Sequence, residues 1–155
     1  MERRIILDLD YCIGCRSCEA ACRAAFKGEG RIRHGEIGVE AYLPLACRHC
    51  ENPLCAAACP VEAITRDEET GIVKRSSFRC IGCCSCLYAC PFGVIDAPLV
   101  RHIAQKCDLC MDREEGPRCV ATCPSGALQF LSDEEIEKVK VGVRVISRSP
   151  FWRRK

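Results

Sequence analysis

The chain lacks most of what marks a membrane protein, a secreted protein or a catalyst. No run approaches the ~18 consecutive apolar residues of a membrane span. Residues 1–10 carry charges at both ends without an apolar stretch. Arg3-Arg4 has the form of a twin-arginine leader, but Asp8 and Asp10 stand where its apolar segment would be. The expectation is a soluble or peripheral cytoplasmic chain, exported only alongside a partner that carries a signal. There is no phosphate-binding Gly-rich loop, no Gly-x-Gly-x-x-Gly turn and no His/carboxylate metal set. Conventional core material is thin: with the 17 cysteines set aside, about 37% of the 155 residues are apolar, and aromatics make up 6%. A chain this long suits one domain or two very small ones.

What the chain has instead is cysteine, about 11% of its residues. Sixteen of the 17 fall into four groups of four. They are Cys12-x2-Cys15-x2-Cys18-x3-Cys22, Cys47-x2-Cys50-x4-Cys55-x3-Cys59, Cys80-x2-Cys83-x2-Cys86-x3-Cys90 and Cys107-x2-Cys110-x8-Cys119-x3-Cys123. Proline follows the closing cysteine at Pro60, Pro91 and Pro124. Four thiolates in this pattern hold a [4Fe–4S] cluster. The sixteen cysteines are therefore the cofactor-binding and metal-ligating candidates, for four [4Fe–4S] clusters and no catalytic residue. A secreted disulfide scaffold is opposed by the tight spacings and by the expectation, from residues 1–10, of no leader. Zinc ribbons use two Cys-x2-Cys pairs and need neither the third cysteine nor the Cys-Pro endings.

Metal would replace part of the core, so the apo chain should be largely unfolded. With four thiolates per cluster, no iron is left open for substrate. The Cys-x3-Cys-x2-Cys triad of radical enzymes is also missing. The expected role is electron transfer, not bond-making.

The groups repeat. Cys59-Pro-Val-Glu-Ala-Ile64, Cys90-Pro-Phe-Gly-Val-Ile95 and Cys123-Pro-Ser-Gly-Ala-Leu128 each read as a loop returning toward a strand. Residues 63–66 and 71–75 flank Asp67-Glu-Glu-Thr70 and predict a hairpin. Residues 5–9 and 128–131 predict two end strands that pair. Residues 23–46 read as a Gly-rich connection without periodicity. Ser132-Asp-Glu-Glu135 is a capping box opening a helix to about Lys140, and 141–146 alternates like a strand. Residues 142–155 hold Arg144, Arg148, Arg153, Arg154 and Lys155 with no acid, although the whole chain is only +2. Residues 132–155 thus form a C-terminal helix and basic tail. This tail is expected to dock onto a partner or a second copy, with a frayed end as the alternative.

In two-cluster ferredoxins the fourth cysteine of a run ligates the other cluster, so the groups must be paired. The hairpin and the end strands favour nesting, group two with three and one with four. Nesting predicts clusters at Cys47/Cys50/Cys55/Cys90, Cys80/Cys83/Cys86/Cys59, Cys12/Cys15/Cys18/Cys123 and Cys107/Cys110/Cys119/Cys22. Sequential pairing, one with two and three with four, stays open. The fold class is α+β: two interleaved ferredoxin-like halves with short helices, short antiparallel strands and long cluster-binding loops. Residues 1–131 form the four-cluster domain, with an outer half of 1–45 plus 96–131 and an inner half of 46–95. Cys84 reads as a small packed side chain. With the cysteine sets full, His34, His49 and His102 have no ligand vacancy. Lys106, directly before Cys107, would raise a nearby cluster's potential by its charge.

Cys12-Ile-Gly-Cys-Arg-Ser-Cys18, Cys47-Arg-His-Cys-Glu-Asn-Pro-Leu-Cys55, Cys80-Ile-Gly-Cys83, Lys106-Cys-Asp-Leu-Cys110 and Cys119-Val-Ala-Thr-Cys-Pro124 resemble the four-cluster ferredoxin subunit family related to the iron–sulfur subunit of dimethyl sulfoxide reductase. The short members of that family are most similar; they accompany carbon monoxide dehydrogenase, formate dehydrogenase and hydrogenase modules, or tungsten aldehyde oxidoreductases. The resemblance implies two ferredoxin-like halves, nested ligation, and an electron relay between a catalytic oxidoreductase subunit and a second redox partner. Group one departs from the pattern, with Cys22-Arg23 in place of Cys-Pro. No nucleic-acid partner and no direct membrane span are expected, while self-association fits the tail. A stand-alone diffusible polyferredoxin and an iron–sulfur regulatory module are the other classes.

Anaerobically prepared protein should contain about 16 iron and about 16 acid-labile sulfide per chain, from the ligand count of the motif. Stoichiometric zinc without sulfide contradicts the cluster reading.

Overall fold

A computed structural model of the protein describes residues 3–27, 30–37, 41–95, 97, 106–139 and 145–146. His102 and most of the basic tail, including Phe151 and Trp152, lie outside the described residues. In chain order the elements are β1 (Arg3–Asp8), α1 (Ser17–Ala25), β2 (Arg33–Ile37), β3 (Ala41–Leu45), α2 (Leu54–Ala57), β4 (Ile64–Arg66), β5 (Val73–Arg75), α3 (Ser85–Ala89), α4 (Arg118–Ala121), β6 (Leu128–Ser132), α5 (Asp133–Val139) and β7 (Val145–Ile146). Helices and strands are short, and most pairing is antiparallel. The chain divides into two compact units, Met1–Pro44 with Cys110–Lys155, and Leu45–Leu109.

In the first unit β1 and β6 pair antiparallel from Arg3↔Ser132 to Leu7↔Leu128, as expected of the end strands. The pairing buries Ile6, Leu7, Ala127 and Leu128. Asp8 ends β1: its N–H donates to the Ala127 carbonyl at 2.8 Å and its carboxylate accepts the Asp10 N–H at 3.0 Å. Helix α1 packs against α4. The capping box forms as read. The Ser132 N–H donates to Glu135 Oε2 at 2.8 Å and the Glu135 N–H to Ser132 Oγ at 3.4 Å.

Two features depart from the sequence reading. The 23–46 segment is not featureless: β2 and β3 form a two-stranded sheet there. Its Arg33-His-Gly-Glu-Ile37 strand carries too little apolar alternation to announce itself. The second departure lies in the tail: the strand expected within 141–146 forms as β7, but it pairs parallel with β1 through Leu7↔Val145 and Asp8↔Ile146, so part of the tail belongs to the fold.

The second unit repeats the plan. Strands β4 and β5 form the expected hairpin, in register Ile64↔Arg75 to Arg66↔Val73. Asp67 closes its loop, accepting the Thr70 N–H at 3.0 Å and Lys74 Nζ at 3.0 Å. Helices α2 and α3 pack together. The core of this unit is Cys55, Ile64, Val73, Cys86, Val94 and Ile95. Two of these six are cysteines, so sulfur fills positions where apolar side chains normally sit.

Gly14 and Gly82 occupy equivalent left-handed turns, φ +67° and +72°. A Cβ on Gly14 would meet the Tyr42 ring at 2.5 Å, whereas Gly82 has nothing within 4 Å. Gly82→Ala should therefore cost only the conformational strain, about 1–2 kcal/mol. Gly14→Ala should cost more, read as a lower temperature for bleaching of the visible absorption. Gly14→Ala with Tyr42→Ala should recover part of the difference. Equal shifts for the two glycines contradict this.

Candidate metal centres

Each cysteine group is shaped by the same backbone device. The residue before the second cysteine is left-handed in all four: Gly14 (φ 67°), His49 (φ 46°), Gly82 (φ 72°) and Leu109 (φ 59°). This reverses the chain so that the two thiols of Cys-x2-Cys face one side. In groups one and three the residue after the second cysteine is left-handed too, Arg16 (φ 59°) and Cys84 (φ 63°). It is the N-cap of the helix that carries the third cysteine. Cys84 thus occupies the place of Arg16, and its thiol donates to the Gly82 carbonyl at 3.5 Å.

The closing cysteines share a second device. The second residue after Cys-Pro returns its N–H to the cysteine carbonyl at 3.3 Å, in Glu62, Gly93 and Gly126 alike. That same residue is left-handed: Glu62 (φ 49°), Gly93 (φ 61°) and Gly126 (φ 67°). The turn brings the next N–H back toward the sulfur. Ala63 N–H donates to Cys59 Sγ at 3.2 Å. The residue at that position is buried in all three turns, as Ala63, Val94 and Ala127. Group one, lacking the proline, reaches the same end differently: Arg31 N–H donates to Cys22 Sγ at 3.2 Å.

In the second unit the thiols gather around two cavities. One is lined by Cys47, Cys50, Cys55 and Cys90, together with Lys106. The other is lined by Cys59, Cys80, Cys83 and Cys86, with Cys84 and Arg75. Each cavity therefore has three cysteines of one group and the closing cysteine of the other. In the first unit, Cys15 and Cys123 both act electrostatically on Cys18, while Cys22, Cys110 and Cys18 act on Cys119. Cys107 falls in the second unit and Cys110 in the first, so the division cuts group four.

The thiol acidities follow burial and hydrogen bonding. Burial pushes Cys18 up to about 11 and Cys119 up to about 12, and neighbouring sulfurs add to both. Cys55 and Cys86 are raised for the same first reason. Cys15 and Cys83, the exposed members, are lowered by the hydroxyls of Ser17 and Ser85. The Cys83 Sγ and Ser85 Oγ atoms are 3.4 Å apart. Buried sulfurs that raise one another's proton affinity are a poor place for free thiolates. A group with positive metal atoms against each sulfur removes that penalty. Among the described residues no three His, Cys, Asp or Glu side chains are gathered as a single ion requires. Four sulfurs spread around one cavity suit a larger body that bonds each through its own metal atom, and so fit a [4Fe–4S] cube.

Two residues gain roles that the sequence did not suggest. His49 is 6% exposed and its Nδ1 accepts the Val73 N–H at 3.0 Å, tying the Cys47–Cys50 turn to the hairpin. Its Nε2 then carries the proton. Arg48 stacks over Phe92 with 4.3 Å to the ring centre, where both line the first cavity. His34 meets Tyr42, ring centres 6.1 Å apart.

The fold and the thiol frames define a cysteine-ligated iron–sulfur protein of ferredoxin-like build. A family model described as a 4Fe-4S dicluster domain matches residues 39–133, and the chain belongs to that family. The match contains groups two to four and leaves out group one. The chain is 37% identical to the electron transport protein HydN of Escherichia coli (strain K12), over 93% of this chain and 96% of HydN. It is 34% identical to formate hydrogenlyase subunit 2 of the same strain, over 90% of this chain and 86% of that one. It is also 40% identical to UacF of that strain over 91% of its own length, but spans only 23% of UacF. The protein is an iron–sulfur electron-transfer protein. No helix among the described residues is long and apolar enough to cross a membrane.

Cys84→Ser should leave iron content, sulfide content and visible absorption unchanged, since four other cysteines line the same cavity. Loss of a cluster would place Cys84 among the ligands.

Proposed function

We propose that the chain carries four [4Fe–4S] clusters and relays electrons between a low-potential catalytic oxidoreductase subunit and a second redox partner. The observation that carries this reading is the mixing of groups around each cavity of the second unit. On it, the ligand sets are Cys47/Cys50/Cys55/Cys90 and Cys80/Cys83/Cys86/Cys59. By the same exchange the other two are Cys12/Cys15/Cys18/Cys123 and Cys107/Cys110/Cys119/Cys22. The electrostatic neighbours of Cys18 and Cys119 support these two sets. The domain is then two ferredoxin-like halves, one made of chain inserted within the other.

A [4Fe–4S] cube, when bound, supplies one-electron storage. The chain's own residues do the rest. The left-handed turns orient the thiols, and the Ala63 and Arg31 N–H groups compensate charge on Cys59 and Cys22. The apolar wall of Val73, Val94 and Ile95 keeps water from one side of the first cavity. With every iron held by a cysteine, the chain acts as a carrier and leaves substrate chemistry to a partner. The name of formate hydrogenlyase subunit 2 favours a catalytic partner of the formate or hydrogen type. Carbon monoxide dehydrogenase and aldehyde oxidoreductase modules, and the relation to the dimethyl sulfoxide reductase subunit, belong to the same reading. A diffusible carrier is the second reading, favoured by the name electron transport protein that HydN bears.

Anaerobic purification of the tagged chain from its native cells should bring down a catalytic oxidoreductase subunit in stoichiometric amount. Recovery of the chain alone, with four clusters and full electron transfer to a soluble acceptor, supports the diffusible carrier. Cys22→Ser should disturb the cluster of Cys107, Cys110 and Cys119, and leave that of Cys12, Cys15 and Cys18. A crystal structure with Cys22 and Cys12 on one cube overturns the exchange.

A further inference from the structure

Lysine is seldom buried, because its ammonium loses its hydration and regains it only through a partner. Lys106 is 5% exposed. Its Nζ lies 3.7 Å from Cys55 Sγ, and the residue lines the cavity of Cys47, Cys50, Cys55 and Cys90. Cys55 is itself 9% exposed and part of the unit's core. The ammonium thus faces a sulfur in a low-dielectric setting, where charge acts over short distance with little screening. The second cavity also has a buried cation, Arg75, at 3.9 Å from Cys80 Sγ. Its guanidinium spreads its charge, and Arg75 makes other interactions as well. In the first unit, Cys15 and Cys123 have serine hydroxyls as neighbours, Ser17 and Ser125.

We infer that Lys106 raises the reduction potential of the cluster held by Cys47, Cys50, Cys55 and Cys90. This rests on the ligand sets proposed above. The physical reason is the sign of the charge. A cube with four thiolates is anionic, and one added electron makes it more so. A fixed positive charge against one of its sulfurs stabilises the reduced form more than the oxidised form, which raises the potential. The ammonium is a compact point charge, so the effect concentrates on the cluster it touches.

The test is a potentiometric titration of the anaerobic holoprotein followed by electron paramagnetic resonance. It compares wild type with K106Q, K106M and K106R, each with iron and sulfide measured. The neutral variants should lower one midpoint potential so that the reduced-to-oxidised ratio at fixed potential falls at least tenfold, about 59 mV for a one-electron couple. The remaining midpoints should stay put. The signal that moves should be the one that Cys90→Ser also disturbs. K106R keeps the charge in a more spread form, so its midpoint should fall less than that of K106Q. Neutral variants with full iron and unmoved potentials overturn the inference, as does a K106R that falls as far as K106Q. K106M keeps the buried aliphatic volume without the charge, and decides the matter if K106Q loses iron. Iron lost from both neutral variants and retained in K106R makes Lys106 a folding requirement and overturns the tuning role. Wild-type protein short of four clusters is a different failure, that of the ligand reading itself.

Discussion

Buried thiols held side by side are the constraint on which this structure depends. Sulfur occupies core positions at Cys55 and Cys86 in one unit, and Cys18, Cys22, Cys110 and Cys119 are buried in the other. Left to themselves Cys18 and Cys119 would keep their protons, because burial and neighbouring sulfurs both oppose ionisation. Ligation reverses the balance, since metal atoms supply the opposite charge without admitting water. The energy that a larger domain draws from apolar burial is drawn here from bonds between sulfur and metal. This explains how a chain with so few conventional core residues can hold short strands and helices of four or five residues in place.

The backbone answers that constraint with few shapes used repeatedly. A left-handed residue before the second cysteine turns two thiols to one side, whether it is Gly14, His49, Gly82 or Leu109. Glycine adopts that conformation at little cost. Histidine and leucine do so under strain, which the surroundings offset. His49 is fixed by the Val73 N–H. The Cys-Pro turn then bends back so that a main-chain N–H meets the closing sulfur. The first shape recurs in all four groups and the second in the three that end in Cys-Pro, which is why groups of different spacing reach similar local geometry.

Much of this was legible in the sequence. Metal-ligand spacing is a local property, so the four groups stand out without any structure. The hairpin around Asp67 and the capping box at Ser132 are local too, and both form as read. The pairing of the end strands is long-range, yet two short apolar runs flanking a cysteine-rich stretch leave few other partners. What stayed hidden depends on distant neighbours. Nothing in residues 33–45 signals a strand pair, and nothing near Gly14 signals the Tyr42 ring that forbids a side chain there. Lys106 could be suspected from its place beside Cys107. Its burial against Cys55, fifty-one positions earlier, could not.

The pairing of β1 with β6 also fixes an order in time. A ribosome releases residues 3–8 ahead of the second unit, but their partner at 128–132 emerges only after both cysteine groups of that unit have been made. The second unit has all of its hairpin and both cavity linings within residues 47–106. It can close while the opening strand is still waiting. Domains generally fold as units while synthesis proceeds. Here residues 47–106 are complete before residues 128–132 exist, and β1 waits for a partner made after all of them.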